Sequence, residues 1–175
     1  YQRSTIFNDA QTEERTIHIG LDLWTKAGTN VLAALDGTVH SFQYNNNLGD
    51  YGPTIILEHR IENEKFYTLY GHLSLESIEN LKVGDIFKKG EKIATLGNAS
   101  INGDYAPHVH FQIIHNIEDY WGDYPGVCNT NDLNFYIEKK LKNYKAFFQK
   151  AVQDSSIHGY QLINLKFTQQ VVCTK

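Results

Sequence analysis

Pro107-His108-Val109-His110-Phe111-Gln112-Ile113 sets two histidines at alternate positions, with Val109, Phe111 and Ile113 between and after them. Alternation with a period of two is the mark of a strand with one apolar and one functional face. In a helix an i, i+2 pair points in divergent directions. On a strand the two rings stand about 6.6 Å apart at Cα, close enough for one to bind a metal while the other faces a substrate. The stretch predicts a β-strand that carries one ligand and one acid/base group.

Far upstream, Ile17, Ile19, Leu21 and Leu23 alternate with His18, Gly20 and Asp22, so His18 and Asp22 share the polar face of a second strand. A straight strand would hold their Cα atoms roughly 13 Å apart, too far to meet on one metal at about 2 Å from each. The strand must bend or end between them. Gly20 is the expected place, because glycine tolerates unusual backbone angles and leaves room beside it. Two imidazoles and a carboxylate from distant parts of a small chain are what zinc with an open position requires, since catalytic zinc usually takes three protein ligands and a water. The donor set points to a metallohydrolase.

Two further pieces complete the pattern. Phe66-Tyr67-Thr68-Leu69-Tyr70-Gly71-His72-Leu73 is rich in aromatic and β-branched residues and ends on a histidine, which makes His72 a candidate for the same cleft. Tyr51-Gly52-Pro53-Thr54-Ile55-Ile56-Leu57-Glu58-His59 reads as a turn followed by a strand, with an architectural role.

Taken in order, these pieces resemble the lysostaphin/LytM-type zinc metalloendopeptidases, a peptidoglycan-hydrolase-like family whose pattern is His-x-x-x-Asp, Tyr-x-His-Leu and a late His-x-His-Phe. The match runs from Arg15 to Ile114, with supporting runs at 34–39 and 83–93. The resemblance implies a mainly β fold, an antiparallel β-sheet groove of the duplicated hybrid motif type. It implies that His18, Asp22 and His110 bind one zinc ion, and that His72 and His108 act on the reacting water and the developing oxyanion. The implied substrate is a short glycine- or D-alanine-containing peptide, such as a peptidoglycan stem or cross-bridge, in an extracellular, periplasmic or cell-wall setting. The runs at Tyr51 and at Tyr124-Pro125-Gly126-Val127 also resemble a subgroup in which the module is appended to a larger chain, where the compartment would differ. A catalytically silent module that binds cell-wall peptide or regulates a hydrolase is the alternative; members of that kind usually lack ligand residues, and this chain keeps them.

The chain departs from the family pattern at two places. The loop at 97–107 has Ala106 rather than Gly before Pro107-His108, and Gln112 stands where the family more often has Glu. That loop and the regions of Tyr51 and Tyr70 are the expected walls of a narrow groove, with Gly20 at its floor. His40, His59, His115 and His158 are expected to be hydrogen-bonded structural groups, and Arg15 an ordinary surface charge.

Composition bounds the rest. With 41% hydrophobic and 13% aromatic residues in 175, the chain can bury one sizeable core. A formal charge of −4 with no basic run argues against nucleic acid as a partner. The longest apolar run, Val31 to Leu35, is far short of the ~18 residues of a membrane span. A monomer is the expected state. Cys128 and Cys173 fit neither a zinc ribbon nor a disulfide framework; a single bridge between them and two thiols both remain open. The chain begins at Tyr1 and contains no Met, so an upstream segment is expected to have been removed or left out.

The expected organisation is a segment at 1–14, a metallopeptidase core at 15–116, and an extension at 117–175 packed on the same domain. Ile137, Leu141, Tyr144, Phe148 and Val152 recur at helical spacing, which predicts an amphipathic helix over 133–152 capped by Asn131 or Asp132. Ile163, Leu165 and Phe167 alternate as in a strand between Tyr160 and Phe167.

Overall fold

A computed structural model describes residues 15–61 and 63–136, with the backbone of residues 162–163 and 173–174. Its elements run in the order β1 (Ile17–His18), β2 (Leu21–Trp24), β3 (Asn30–Leu32), β4 (Gly37–Asn45), β5 (Gly52–Ile61), β6 (Glu64–Gly71), α1 (Glu76–Glu79), β7 (Ile86–Phe87), β8 (Lys92–Thr95), β9 (His108–Ile114), β10 (Val127–Cys128), β11 (Leu162–Ile163) and β12 (Cys173–Thr174). Six strands form one antiparallel sheet in the order β2-β9-β6-β5-β4-β7, and the pairs β1-β10, β3-β8 and β11-β12 stand apart from it. The fold is mainly β and antiparallel, as the alternating sequence pattern predicts.

The two faces of the sheet do different jobs. On one, Val39, Ile55, Leu57, Tyr70 and Val109 join Val31, Ala33, Ile93, Ala94 and Leu96 in the main core under β3 and β8. Tyr70, expected near the groove, belongs here instead: it is 2% exposed and its hydroxyl accepts the Ala34 N–H at 3.0 Å. Period two makes this unavoidable, because Gly71 and Leu69 already face the other side beside His110 and Gln112. The second face carries Ile56, Tyr67, Leu69 and Ile114 with Ile117 and Tyr124, and it supports the polar residues described below.

The segment after β9 crosses this second face. It is pinned near its start at Gly122, whose N–H donates to Ser41 Oγ at 2.9 Å and whose carbonyl accepts Asn45 Nδ2–H at 2.9 Å. It ends on β10, which pairs with β1 through His18 and Val127. Residues 133–136 are helical, preceded by an Asp132 N–H to Asn129 Oδ1 bond of 2.8 Å; the rest of the helix expected to 152 lies outside the described residues. So do most of the strand expected between 160 and 167 and the Cys173 side chain, whereas Cys128 is buried on β10. Among the described residues no helix is long and apolar enough to cross a membrane.

His59 is a structural histidine, 1% exposed on β5. A carbonyl only accepts, so its Nδ1–H donates to the Asp36 carbonyl at 2.7 Å, and its Nε2 accepts from the Thr68 hydroxyl at 2.7 Å. Burial pushes its pKa below the ordinary histidine value, against the pull of the Asp36 carbonyl. The unfolded chain therefore takes up this proton first, and stability is full above the ordinary pKa of about 6.5 and falls as pH drops through it. Urea unfolding at pH 7.5 and 5.0 should show a smaller loss of stability on acidification for His59→Gln than for the parent chain. An identical loss would mean that His59 does not contribute to acid sensitivity.

Candidate active site

Strand β1 stops after His18 and β2 starts at Leu21, so the chain turns at Ile19 and Gly20 as the spacing requires. The reason for glycine is room rather than backbone angle. A Cβ at Gly20 would fall inside the imidazole of His110. The break folds His18 back over the sheet, and Asp22 lies directly opposite His110 in the β2-β9 register.

Three donor atoms converge as a result. His18 Nε2 is 3.2 Å from Asp22 Oδ1, His110 Nδ1 is 3.0 Å from the same oxygen, and the two ring nitrogens are 3.0 Å apart. Among the described residues these form the single cluster of His, Cys, Asp or Glu with metal-holding geometry. A tetrahedral shell with metal–ligand distances of about 2.0–2.1 Å has edges of about 3.3–3.4 Å, so the spacing suits a small tetrahedral cation. Burial alone would raise the Asp22 carboxyl, but the imidazoles of His110 and His18 beside it outweigh that and hold the group ionised far below the usual carboxylate range.

Hydrogen-bond logic fixes the His110 tautomer. The Pro125 carbonyl can only accept, so the Gln112 NH2 group donates to it at 3.2 Å. The Gln112 Oε1 then faces His110 Nε2 at 3.1 Å and accepts its proton. Burial keeps the ring neutral by lowering its pKa. Nδ1 is thus a bare lone pair, directed at Asp22 and His18. Three lone-pair donors facing one point, two nitrogens and one carboxylate oxygen, are a set that fits zinc.

His72 and His108 lie beside this cluster, with ring centroids 4.1 Å apart. His72 has φ of 60°, a left-handed conformation uncommon outside glycine. Its surroundings overdetermine that strain: its N–H donates to the Tyr51 carbonyl at 2.7 Å, its carbonyl accepts from Gly97 N–H at 3.0 Å, and its Nδ1–H donates to the Asn102 carbonyl at 2.8 Å. His108 Nδ1–H likewise donates to the Ala106 carbonyl at 2.7 Å. Both rings therefore keep Nε2 bare, and that of His108 lies 3.9 Å from Asp22 Oδ1. Burial and the neighbouring His108 and His110 push the His72 pKa down to about 3; burial lowers that of His108 as well. Two of the residues expected in the loop wall act through their backbones, since Asn102 and Ala106 orient this pair.

The cluster opens into a cleft of about 350 Å³ lined by His18, His72 and His110. Tyr51, Tyr105, Tyr120, the run Asp123 to Val127 and Arg15 add to the lining, with the Tyr51 hydroxyl packed against Gly126. The turn at Tyr51 does more than support the strand that follows. Its hydroxyl is 3.3 Å from His110 Nε2, and Gly71 leaves the space that its ring occupies. Trp24, half exposed, stacks on His108 with ring centroids 4.2 Å apart. Tyr51 belongs to a run already expected to wall the groove, whereas Trp24 sits in no motif that announces its place, although it follows Asp22 by two and so shares its strand face.

Comparison with known proteins agrees with this geometry. A peptidase family M23 model matches residues 16–120, and a model described as FtsQ/DivIB, C-terminal related matches residues 130–174. The chain is 37% identical over 95 residues to an uncharacterized metalloprotease of Haemophilus influenzae, covering 54% of this chain and 18% of that one. It is 32% identical over 100 residues to the peptidoglycan DD-endopeptidase ShyC of Vibrio cholerae, covering 57% of this chain and 20% of that protein. The chain thus matches about a fifth of the length of these curated relatives. A solved structure, the catalytic domain of the antimicrobial peptidase lysostaphin from Staphylococcus simulans, is similar at a TM-score of 0.45 and 26% identity, over 69% of this chain and 79% of that one. With more than half of its residues matched by one family model, including every residue of the metal cluster and its neighbouring histidine pair, the chain belongs to peptidase family M23.

Proposed function

We propose that this chain is a zinc-dependent endopeptidase that cleaves short glycine- or D-alanine-containing peptides, with peptidoglycan stems or cross-bridges as the substrate class. The observation that carries it is the meeting of His18 Nε2, Asp22 Oδ1 and His110 Nδ1 at a cleft that His18, His72 and His110 line, with His108 against His72. His18, Asp22 and His110 would hold the ion. A bound zinc supplies Lewis acidity, which lowers the pKa of a water and polarises an amide carbonyl. The substrate class rests on the likeness to a protein named as a peptidoglycan DD-endopeptidase.

The work of the chain itself falls to His72 and His108. Each enters with its proton on Nδ1, bound to a backbone carbonyl, and with Nε2 ready to accept. A proton taken at one Nε2 converts that ring into a donor, able to serve a developing oxyanion or a leaving amine. The rings are too close for both to hold charge comfortably, so the pair works with one proton at a time. The lining of Tyr51, Tyr105, Tyr120 and the 123–127 run favours an extended peptide with small residues at the scissile bond.

Metal analysis with digestion of isolated muropeptides and glycine-rich peptides tests the reading. The expected result is about one zinc per molecule, cleavage that a zinc chelator stops, and little action on casein. Metal binding without any cleavage would favour a silent peptide-binding module. Metal-dependent cleavage of ordinary L-peptides at large residues, with stems and cross-bridges intact, would overturn the substrate class alone.

A further inference from the structure

We propose that Gln112 is a positioning residue that couples the orientation of His110 to the 123–127 wall of the cleft, an inference that rests on the metallopeptidase reading of the site. Its side chain is buried, with the residue 1% exposed, and both ends are engaged. One end accepts from His110 Nε2 at 3.1 Å; the other donates to the Pro125 carbonyl at 3.2 Å. The partners demand opposite things. His110 must give its proton away to leave Nδ1 bare, and the Pro125 carbonyl must receive one.

Only an amide does both at this position. A carboxylate could accept from His110 but would set a bare oxygen against the Pro125 carbonyl, and an apolar side chain would leave that carbonyl unpaired and the His110 N–H to the longer contact with the Tyr51 hydroxyl at 3.3 Å. Gln112 therefore joins the metal cluster to a wall whose Tyr124 packs on the sheet and whose backbone is bonded on either side of Pro125. Near the start Gly122 bonds to Ser41 and Asn45; at the close Gly126 accepts the Ile19 N–H at 3.0 Å and Val127 pairs with His18. Pro125, between these anchors, lines the cleft. A peptide that displaces this wall pulls through Gln112 on the ring that holds the metal.

Gln112→Met and Gln112→Glu separate the two ends. Three readouts on the full chain are needed: zinc affinity by chelator competition, the visible spectrum of the cobalt(II)-loaded protein, and amide hydrogen exchange across 123–128. Gln112→Met, close in volume, loses both bonds and should lower zinc affinity about 10- to 100-fold, alter the cobalt spectrum and speed exchange in the wall. Gln112→Glu keeps the acceptor for His110 and should hold zinc at least as tightly as the parent chain, yet exchange faster across the wall. A residue that only filled space would move both readouts together. Wild-type zinc affinity and cobalt spectrum in Gln112→Met, or unchanged wall exchange in Gln112→Glu, would overturn the proposal. If Gln112→Met fails to fold, Gln112→Glu decides. A parent chain that takes up no zinc would defeat the metallopeptidase reading, while the exchange arm would still report on the link between Gln112 and the wall.

Discussion

His18→Ala, Asp22→Ala and His110→Ala are each expected to abolish stoichiometric zinc binding, and Gly20→Ala to do so without removing a donor. Deleting a group that merely orients a ligand costs about 10- to 100-fold in affinity, so removing one of three direct ligands should cost more. Asp22 supplies the only anionic oxygen of the cluster, and both imidazole nitrogens lie 3.0–3.2 Å from it. Gly20→Ala acts through space. A methyl group there would occupy the position of the His110 ring, so the ring must leave or the β1-β2 junction must open. Either response moves Nδ1 away from Asp22. Elemental analysis, with circular dichroism to confirm the fold, decides the matter. Full zinc retention in all three alanine variants would remove these residues from the metal site, and retention in Gly20→Ala would show that the junction yields without disturbing the cluster.

The residues that meet at this cluster were legible because their alternation sets them on the polar faces of strands. Alternation around His18 and His108 predicts strands, and the roughly 13 Å reach of an unbroken strand requires the interruption seen at Ile19 and Gly20. What the spacing does not contain is the approach of His110 to Gly20, which depends on the β2-β9 register. The regions of Tyr51 and Tyr70 were both expected to border the groove; the structure keeps Tyr51 there and turns Tyr70 into the core. Tyr70 falls on the core face of β6 by parity, whereas Tyr51 precedes β5 in a turn, where no period assigns a direction to its ring. The 123–127 wall has the weakest signal. Residues 120–128 have no periodicity, and their place is set by distant polar partners, Ser41 and Asn45 on β4 and Gln112 on β9. Gln112 was noticed only as a departure from the family pattern, and its two opposite bonds give that departure a physical role.

His72→Ala and His108→Ala are expected to keep the metal and to lose about 10²-fold or more in kcat, the range for removal of a general acid or base. Retention of metal follows from the geometry of the donors, because the His18, Asp22 and His110 atoms close on one another without either residue. Loss of turnover follows from what each ring carries. Its Nδ1–H is committed to a backbone carbonyl, so Nε2 is its only route for a proton. The depressed pKa of His72 keeps the ring neutral, with Nε2 bare, across the neutral pH range. Because the rings lie 4.1 Å apart, too close for both to carry charge comfortably, their contributions should not add. The double variant should therefore be little slower than the worse single one, as for groups that act as a unit. Steady-state kinetics on a muropeptide, with zinc content measured on the same samples, tests every part of this. Metal loss in either single variant would move that histidine into the ligand set, near-normal turnover would leave it a structural role, and fully additive losses in the double variant would mean that the two rings serve separate steps rather than one shared proton.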